Sequence, residues 1–432
     1  PEAIAPEAAG SANAVAASVR TPLMASGDSA APSVPELANA SFSSAEMPAA
    51  YRFGLNEGLE LHVGHHMYFE LEFRSLDVAR FRLAWELAFE RHAALRVEAL
   101  EDGTTRTRED VRPSTALDDC SAGCRSFASE ARLRRARDRW AHSDPPGAPY
   151  VRHLVCVLAL RLFRVHEHFS GLSLDAQSLS AAKLEVQALY LSPAMPVPRI
   201  AGFSFRDYVV AEHAVRTSAR GEESLRWWLE RIQTLPAALA LPMRSSHPLR
   251  RARMNCTALR LSGAQWVALA ARARVLGLSP SALFYGVLAE GWACWSSTRH
   301  FVLSILVSRR LPVHTSVSSV LGSYYSVFPL EVDWRDRAAF SRRVQGLSAQ
   351  MGGIFQHRWC AGVDVLAQVN RLYGRTAQAA LPYVLSSGVA TSRLEGVPGA
   401  LMHSQDHVYL CYDTPQTLVD VIVNPAPAGA VV

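Results

Sequence analysis

Three kinds of side chain suited to acid–base or nucleophilic chemistry crowd into one stretch, VHEHFSGLSLDAQSLSAAKLEVQALY, between Val165 and Tyr190. His166 and His168 lie two apart, and Ser170 follows two residues later. In an extended chain that spacing puts all three on one face. An imidazole there could act as a general base. Asp175 could act as an acid, or as a carboxylate held by an arginine. Ser178, three residues on, suits a loop or helix cap. The competing reading is a polar turn, with structural histidines and an ion-paired carboxylate.

The surrounding pattern says which elements must position these groups. Up to Phe169 the stretch alternates polar and apolar residues, as a half-buried strand does, and from Leu172 to Tyr190 the spacing becomes helical. LVCVLALRLFRVHEHF (Leu154–Phe169) reads as a core strand or hairpin. Earlier, HHMYFELEF (His65–Phe73) alternates with Met67, Phe69, Leu71 and Phe73 on one face and predicts a strand. Val78, Phe81, Trp85 and Phe89 then recur at helical spacing, with Ser75 and Asp77 suited to the start. In the second half, Leu225, Trp228, Leu229 and Ile232 share a helical face. Ser279–Trp295 opens with a capping Ser and with Pro at the first helical position. HFVLSILVS reads as a buried strand, and Ala338–Trp359 as a helix with a weak point at Gly352-Gly353. Strand-like segments close the chain around Tyr383, Val408 and Leu418. Alternating helices and strands in two halves predict an α/β chain of two lobes.

Composition sets limits. The chain has 432 residues, 49% hydrophobic and 19% charged, with a net charge of +5. That is enough for a large core or two lobes. The positive excess is scattered, apart from the arginine-rich run Arg132–Arg139, which lacks interleaved aromatics and reads as a solvated helix face rather than a nucleic-acid groove. There are seven cysteines. Cys120 and Cys124 are four apart, but no second pair or Cys/His cluster completes a metal site, so free thiols in a reducing cytoplasm are expected. No apolar run reaches membrane-spanning length, and acidic Glu2 and Glu7 argue against a signal peptide. Residues 1–40, rich in Ala, Pro and Ser, are expected to be a disordered linker. The initial Pro1 suggests a piece of a longer protein.

From about Phe42 to Asp420 the chain resembles the condensation-domain superfamily of nonribosomal peptide synthetases, and within it the heterocyclization subfamily. Ordinary condensation domains carry HHxxxDG at this strand-to-loop junction, and heterocyclization domains carry DxxxxDxxS. Here Ser170 to Ser178 matches the latter, with Asp175 and Ser178 kept and Ser170 in place of the first Asp. The catalytic His of HHxxxDG would fall at Gly171. RHAALR (Arg91–Arg96), FRDY (Phe205–Tyr208), WLERIQTLP (Trp228–Pro236), RLPVHTSVSSVLG (Arg310–Gly322), HRWCAGVDVL (His357–Leu366) and TPQTLVD (Thr414–Asp420) resemble the subfamily's segments in order and spacing. Departures are Arg309 for Asn, Ser323 and Tyr325 for the Asp and Thr of a GDFTS-like segment, and Ser386 for Thr.

The resemblance implies two chloramphenicol-acetyltransferase-like lobes meeting in a V, a pseudo-dimer with a tunnel at the junction. The expected boundaries are 41–196 and 197–432, with a final strand and helix of the second lobe missing. It implies that Asp420, with Ser386 as partner, serves cyclodehydration, and that Asp175 pairs with Arg310 while Ser170 and Ser178 hold the same loop. It also makes His166, His168, Arg309, Tyr325 and Gln416 candidate tunnel residues. The reaction implied is condensation of a carrier-bound acyl donor with carrier-bound Cys, Ser or Thr, then cyclodehydration to a thiazoline or oxazoline. No metal or directly bound cofactor is expected. Substrates would arrive on phosphopantetheine arms of upstream and downstream carrier proteins, in contact with neighbouring synthetase modules and without nucleic acid or membrane. Two alternatives stay open: a domain that condenses without cyclizing, or does neither and serves as a non-catalytic docking scaffold for carrier proteins, and a free-standing acyltransferase of the same fold acting on small molecules, which would normally want the His of HHxxxDG that is absent here.

Overall fold

The computed structural model describes residues 42–43, 45–46, 50, 64–121, 127–142, 147–194, 202–243, 254–374, 380–388, 407–426 and 429–431. The segment 1–40 and Cys124 lie outside them. The first half carries strands β1 (Phe42–Ser43), β2 (His66–Arg74), β3 (Val97–Ala99), β4 (Thr104–Thr107), β5 (Ser114–Asp119), β6 (Val151–Ala159) and β7 (Leu162–Ser170), and helices α1 (Val78–Arg91), α2 (Phe127–Ala141) and α3 (Ala176–Leu191). The second half carries helices α4 (Phe205–Arg216), α5 (Ala219–Ile232), α6 (Gly263–Val275), α7 (Pro280–Trp295), α8 (Phe340–Gln356) and α9 (Gly362–Leu372). Its strands are β8 (Arg260–Ser262), β9 (His300–Ser308), β10 (Tyr325–Asp333), β11 (Tyr383–Ser387), β12 (His407–Asp413), β13 (Val419–Ala426) and β14 (Gly429–Val431).

Local chemistry sets the helix starts. Asp77 caps α1 by accepting from Arg80 N at 3.0 Å. Ser279 caps α7 ahead of Pro280, and Ser204 forms a reciprocal capping box with Asp207 on α4. The glycine pair does not interrupt α8, which runs unbroken from Phe340 to Gln356 with Val344, Leu347 and Ile354 buried. Packing of that face outweighs the low helix propensity of two glycines.

Two larger sheets form. One has the order β12-β2-β7-β6-β5, antiparallel except between β5 and β6. The other has the order β10-β9-β11-β13-β14-β8, with β11 parallel to both neighbours. Each sheet has its own core. In the first, Phe81, Trp85 and Phe89 of α1 meet Phe73, Val155, Val165 and Phe169. In the second, Trp228 of α5 stacks on Phe328 at 5.4 Å among Phe301, Leu330 and Trp334. The cores do not divide at 196/197. Phe205 and Tyr208 of α4, with Leu311, Leu321 and Tyr324, pack into the first core, and β12 pairs with β2.

β7 is buried on both faces. Val165 and Phe169 join the first core, while His166, His168 and Ser170 on the opposite face are also shielded. The alternation that predicted a half-buried strand therefore marks a polar face covered by protein. Among the described residues no single helix is long and apolar enough to cross a membrane.

Candidate active site

The turn after β7 is locked by Asp175. Its Oδ1 accepts from Ser178 N at 2.7 Å, capping α3, and from Arg310 Nη2 at 3.3 Å, while Oδ2 accepts from Ser308 Oγ at 3.2 Å. Ser178 Oγ donates to Gly322 O at 2.8 Å and accepts from Gly322 N and from Arg310 Nη2. Arg310 also donates to Val317 O and Val320 O, both at 2.9 Å. Both its charge and most of its donors are thus spent inside the protein, as burial requires. Ser170 is fully buried, donating to His65 O and accepting from Leu172 N, each at 3.3 Å. Among the described residues no Arg or Lys hydrogen-bonds it.

A cavity of about 830 Å³ opens beside this turn, walled by both halves of the chain. Gly171, Asp175, Arg310 and Tyr325 border it, as do Ser386, Thr414 and Asp420, with Ile305, Val307 and Ile422 among the apolar residues. Asp420 lies on β13 opposite Val384 of β11, and Ser386 sits two residues along the neighbouring strand. Ser386 Oγ donates to Asp420 Oδ1 at 3.3 Å and Thr414 Oγ1 to Oδ2 at 2.7 Å. One side of Asp420 borders the cavity, so the residue is half-buried, yet dense packing around its carboxyl group removes it from water. That desolvation lifts its pKa to about 6, against the lowering effect of the two hydroxyls.

Several expected tunnel residues lie elsewhere. His166 and His168 do not border the cavity. His166 Nδ1 pairs with Tyr68 OH at 2.6 Å, and burial lowers its pKa to about 4. His168 stacks on His66 at 4.5 Å. Arg309 points away from the cavity into a buried triad with Glu46 at 2.8 Å and Glu212 at 2.7 Å. Gln416 does not line it either. It takes the left-handed conformation, φ 58°, in the turn that carries the chain from Thr414 into β13. Of these five, Tyr325 lines the cavity, and its hydroxyl accepts from Ala176 N at 2.7 Å.

Other lining groups escaped the sequence reading. Thr414 is one. It stands inside TPQTLVD, six residues before Asp420, so the motif itself held the signal. Tyr285 and Tyr412 also line the cavity, and burial raises the pKa of both phenols, keeping them as proton donors. The third is His65. Its imidazole lies on the cavity wall over Gly171, where a Cβ would fall 2.5 Å from Nε2. Only glycine permits that approach.

The comparisons with known proteins agree with this architecture. A model of the condensation-domain family matches residues 172–365. Pyochelin synthetase PchF of Pseudomonas aeruginosa is 30% identical over 407 residues, covering 91% of this chain and 22% of that protein. Phenyloxazoline synthase MbtB of Mycobacterium tuberculosis is 27% identical over 387 residues, covering 86% of this chain and 26% of that protein. The chain thus spans about a quarter of the length of these curated relatives. Among solved structures, the EpoB NRPS cyclization-docking bidomain from Sorangium cellulosum superposes with a TM-score of 0.83 at 26% identity, over 92% of this chain and 80% of that one. The first condensation domain of the calcium-dependent antibiotic synthetase shares the fold, with a TM-score of 0.71 at 17% identity over 91% of this chain and 90% of that one. With two α/β lobes of the chloramphenicol-acetyltransferase kind, the chain belongs to the condensation-domain superfamily of nonribosomal peptide synthetases and is similar to its heterocyclization members.

Proposed function

We propose that this chain joins a carrier-bound acyl thioester to the amine of carrier-bound Cys, Ser or Thr and then cyclodehydrates the amide to a thiazoline or oxazoline. The acyl and aminoacyl groups would arrive on phosphopantetheine arms of two carrier proteins. The cavity holds both reactants, and proximity alone can supply several kcal/mol. In the first stage the amine attacks the thioester carbonyl. The C–N bond forms, the C–S bond breaks and the pantetheine thiol leaves. His65, on the cavity wall over Gly171, takes the ammonium proton. In the second stage the side-chain thiol or hydroxyl adds to the amide carbonyl carbon: the new C–S or C–O bond forms, the carbonyl π bond breaks, and the nucleophile's proton passes to the carbonyl oxygen, which becomes a hydroxyl. Asp420 takes the amide proton as carboxylate and returns it to the departing hydroxyl, which leaves as water.

The observation that carries this reading is the Asp420 carboxyl group. It faces the cavity, is held by Ser386 and Thr414, and titrates near 6. At pH 7 about a tenth of it is protonated, against less than a thousandth for a carboxyl with an ordinary pKa. Both forms needed for proton relay are therefore accessible. Names among the relatives, a phenyloxazoline synthase and a cyclization-docking bidomain, point to the same ring-forming chemistry.

Intact-mass analysis of carrier proteins loaded with an acyl donor and with cysteine tests it. A product lighter by one water than the amide is expected from the wild type, and Asp420→Asn should stop at the uncyclized amide. Ring formation by Asp420→Asn at the wild-type rate overturns the role of Asp420. Amide without ring from the wild type reduces the activity to condensation, and no product at all leaves a docking scaffold.

A further inference from the structure

Behind the cavity wall the fold gathers donors of a different kind. Cys411 and Asp413 lie two apart on β12 and so share a face of the strand. β12 pairs with β2, which sets Asp413 opposite His66 and Cys411 opposite Tyr68. α2 ends at Ala141 against the same region, where His66 Nε2 reaches Ala141 O at 3.0 Å. His142, the next residue, is delivered beside the strand. One ligating atom from each of His142, Cys411 and Asp413 lies within 4.8 Å of the other two.

We propose that His142, Cys411 and Asp413 bind a divalent transition-metal ion of zinc's class at the edge of the cavity. Zinc–ligand lengths and tetrahedral angles set donor–donor edges of about 3.3–3.6 Å. Cys411 Sγ and Asp413 Oδ1 stand 3.7 Å apart, close to such an edge. The remaining edges are no longer than 4.8 Å and shorten to that edge length through a swing of His142, which is only half-buried at a helix end. The charges also match. A thiolate and a carboxylate neutralise a divalent cation, so the buried site carries no net charge once filled. Sulfur with imidazole selects zinc-like ions over magnesium or calcium.

Three protein donors leave a fourth position. His66 Nε2 is 3.9 Å from Asp413 Oδ2 but is committed to Ala141 O. The fourth position is therefore open to water or to a group from the cavity, which both His66 and Asp413 border. A three-ligand site with one open position is the arrangement of catalytic rather than structural zinc. No spacing in the sequence signals it, because the three residues meet only through the pairing of β12 with β2 and the placement of α2. The site stands on this geometry and is independent of the proposed ring-forming reaction.

Cobalt substitution on the full chain, stripped with chelator, tests the site without reference to turnover. About one equivalent of Co²⁺ should bind with thiolate-to-cobalt charge-transfer absorption and the strong visible bands of four-coordination, and Zn²⁺ should displace it. Cys411→Ser should lose the charge-transfer band. His142→Ala, outside the core, should keep the band but weaken the apparent affinity by at least about 100-fold, the upper end of the loss caused by removing even an outer-shell partner of a ligand. No charge-transfer band in the wild type overturns the proposal, as does an unchanged band in Cys411→Ser or wild-type affinity in His142→Ala.

Discussion

Replacing Thr414 by Val deletes one hydroxyl and keeps the shape of the side chain. In the wild type that hydroxyl donates to Asp420 Oδ2 at 2.7 Å and holds the pKa of the carboxyl group down against desolvation. A hydrogen bond to a charged group is worth about 1.5–3 kcal/mol, or roughly one to two pKa units. The pKa of Asp420, about 6 in the wild type, should therefore rise to about 7–8 in Thr414→Val. The carboxylate form starts the relay, so ring closure should increase with pH through this pKa. At pH 7 the variant should close the ring about two- to tenfold more slowly, and raising the pH to about 9 should restore the wild-type rate. The assay is single-turnover cyclization of a preformed amide on its carrier protein, followed by mass across the pH range. Ser386→Ala, which removes a longer bond of 3.3 Å, should move the profile in the same direction by less. A Thr414→Val profile that overlays the wild type, or a loss that alkaline pH does not rescue, refutes the reasoning.

Asp175→Ala strips the half-buried Arg310 of its buried carboxylate partner and should cost about 3–5 kcal/mol, visible as a lower melting temperature; an unchanged transition would show that the backbone carbonyls alone satisfy the arginine. Ser170→Asp puts a carboxylate into a fully buried site with no Arg or Lys partner among the described residues, so it should destabilise by several kcal/mol; a rise in melting temperature would mean that a neighbouring imidazole ionises to receive it. Gly171→Ala forces the His65 imidazole to move, so amide formation should slow, while cyclization of a preformed amide should hardly change; equal loss in both stages would tie His65 to something other than the amine proton. Because the folded state raises the Asp420 pKa, the favourable contribution of its neutral form is present below pH 4 and lost as pH rises through about 6. Asp420→Asn should therefore gain stability relative to wild type between pH 5 and 8, by at most roughly 3 kcal/mol, readable by chemical denaturation at the two pH values.

Local signals were legible in the sequence. Ser279-Pro280 at the start of α7 and the alternation of His66–Phe73 each correspond to observed elements, because capping and strand patterning act over a few residues. Pairings made by the tertiary fold were not. Glu46, which holds Arg309, lies 263 residues away from it, and nothing near Arg309 indicates a partner. Ser308 and Arg310 line the cavity, while the intervening Arg309, expected there, turns into its buried triad with Glu46 and Glu212. The polar face of β7 was misjudged because alternation shows that two faces differ, not that one meets solvent. α2, separated from β7 in the chain by β6, packs back against both β2 and β7 through the tertiary fold.

Strand β12 belongs by chain order to the second half but by hydrogen bonding to the first sheet, and only Thr414–Leu418 separate it from β13 in the second. Thr414, the first residue of that short tether, holds the carboxyl group of Asp420 on the far side. The chain thus works as an interlock. Any hinge motion that parts the sheets must either peel β12 from β2 or stretch these five residues and pull Thr414 off Asp420. The proton relay proposed for Asp420 would then be armed only while the halves stand in register, and severing the chain between them would leave β2 with a bare edge rather than a self-sufficient first half.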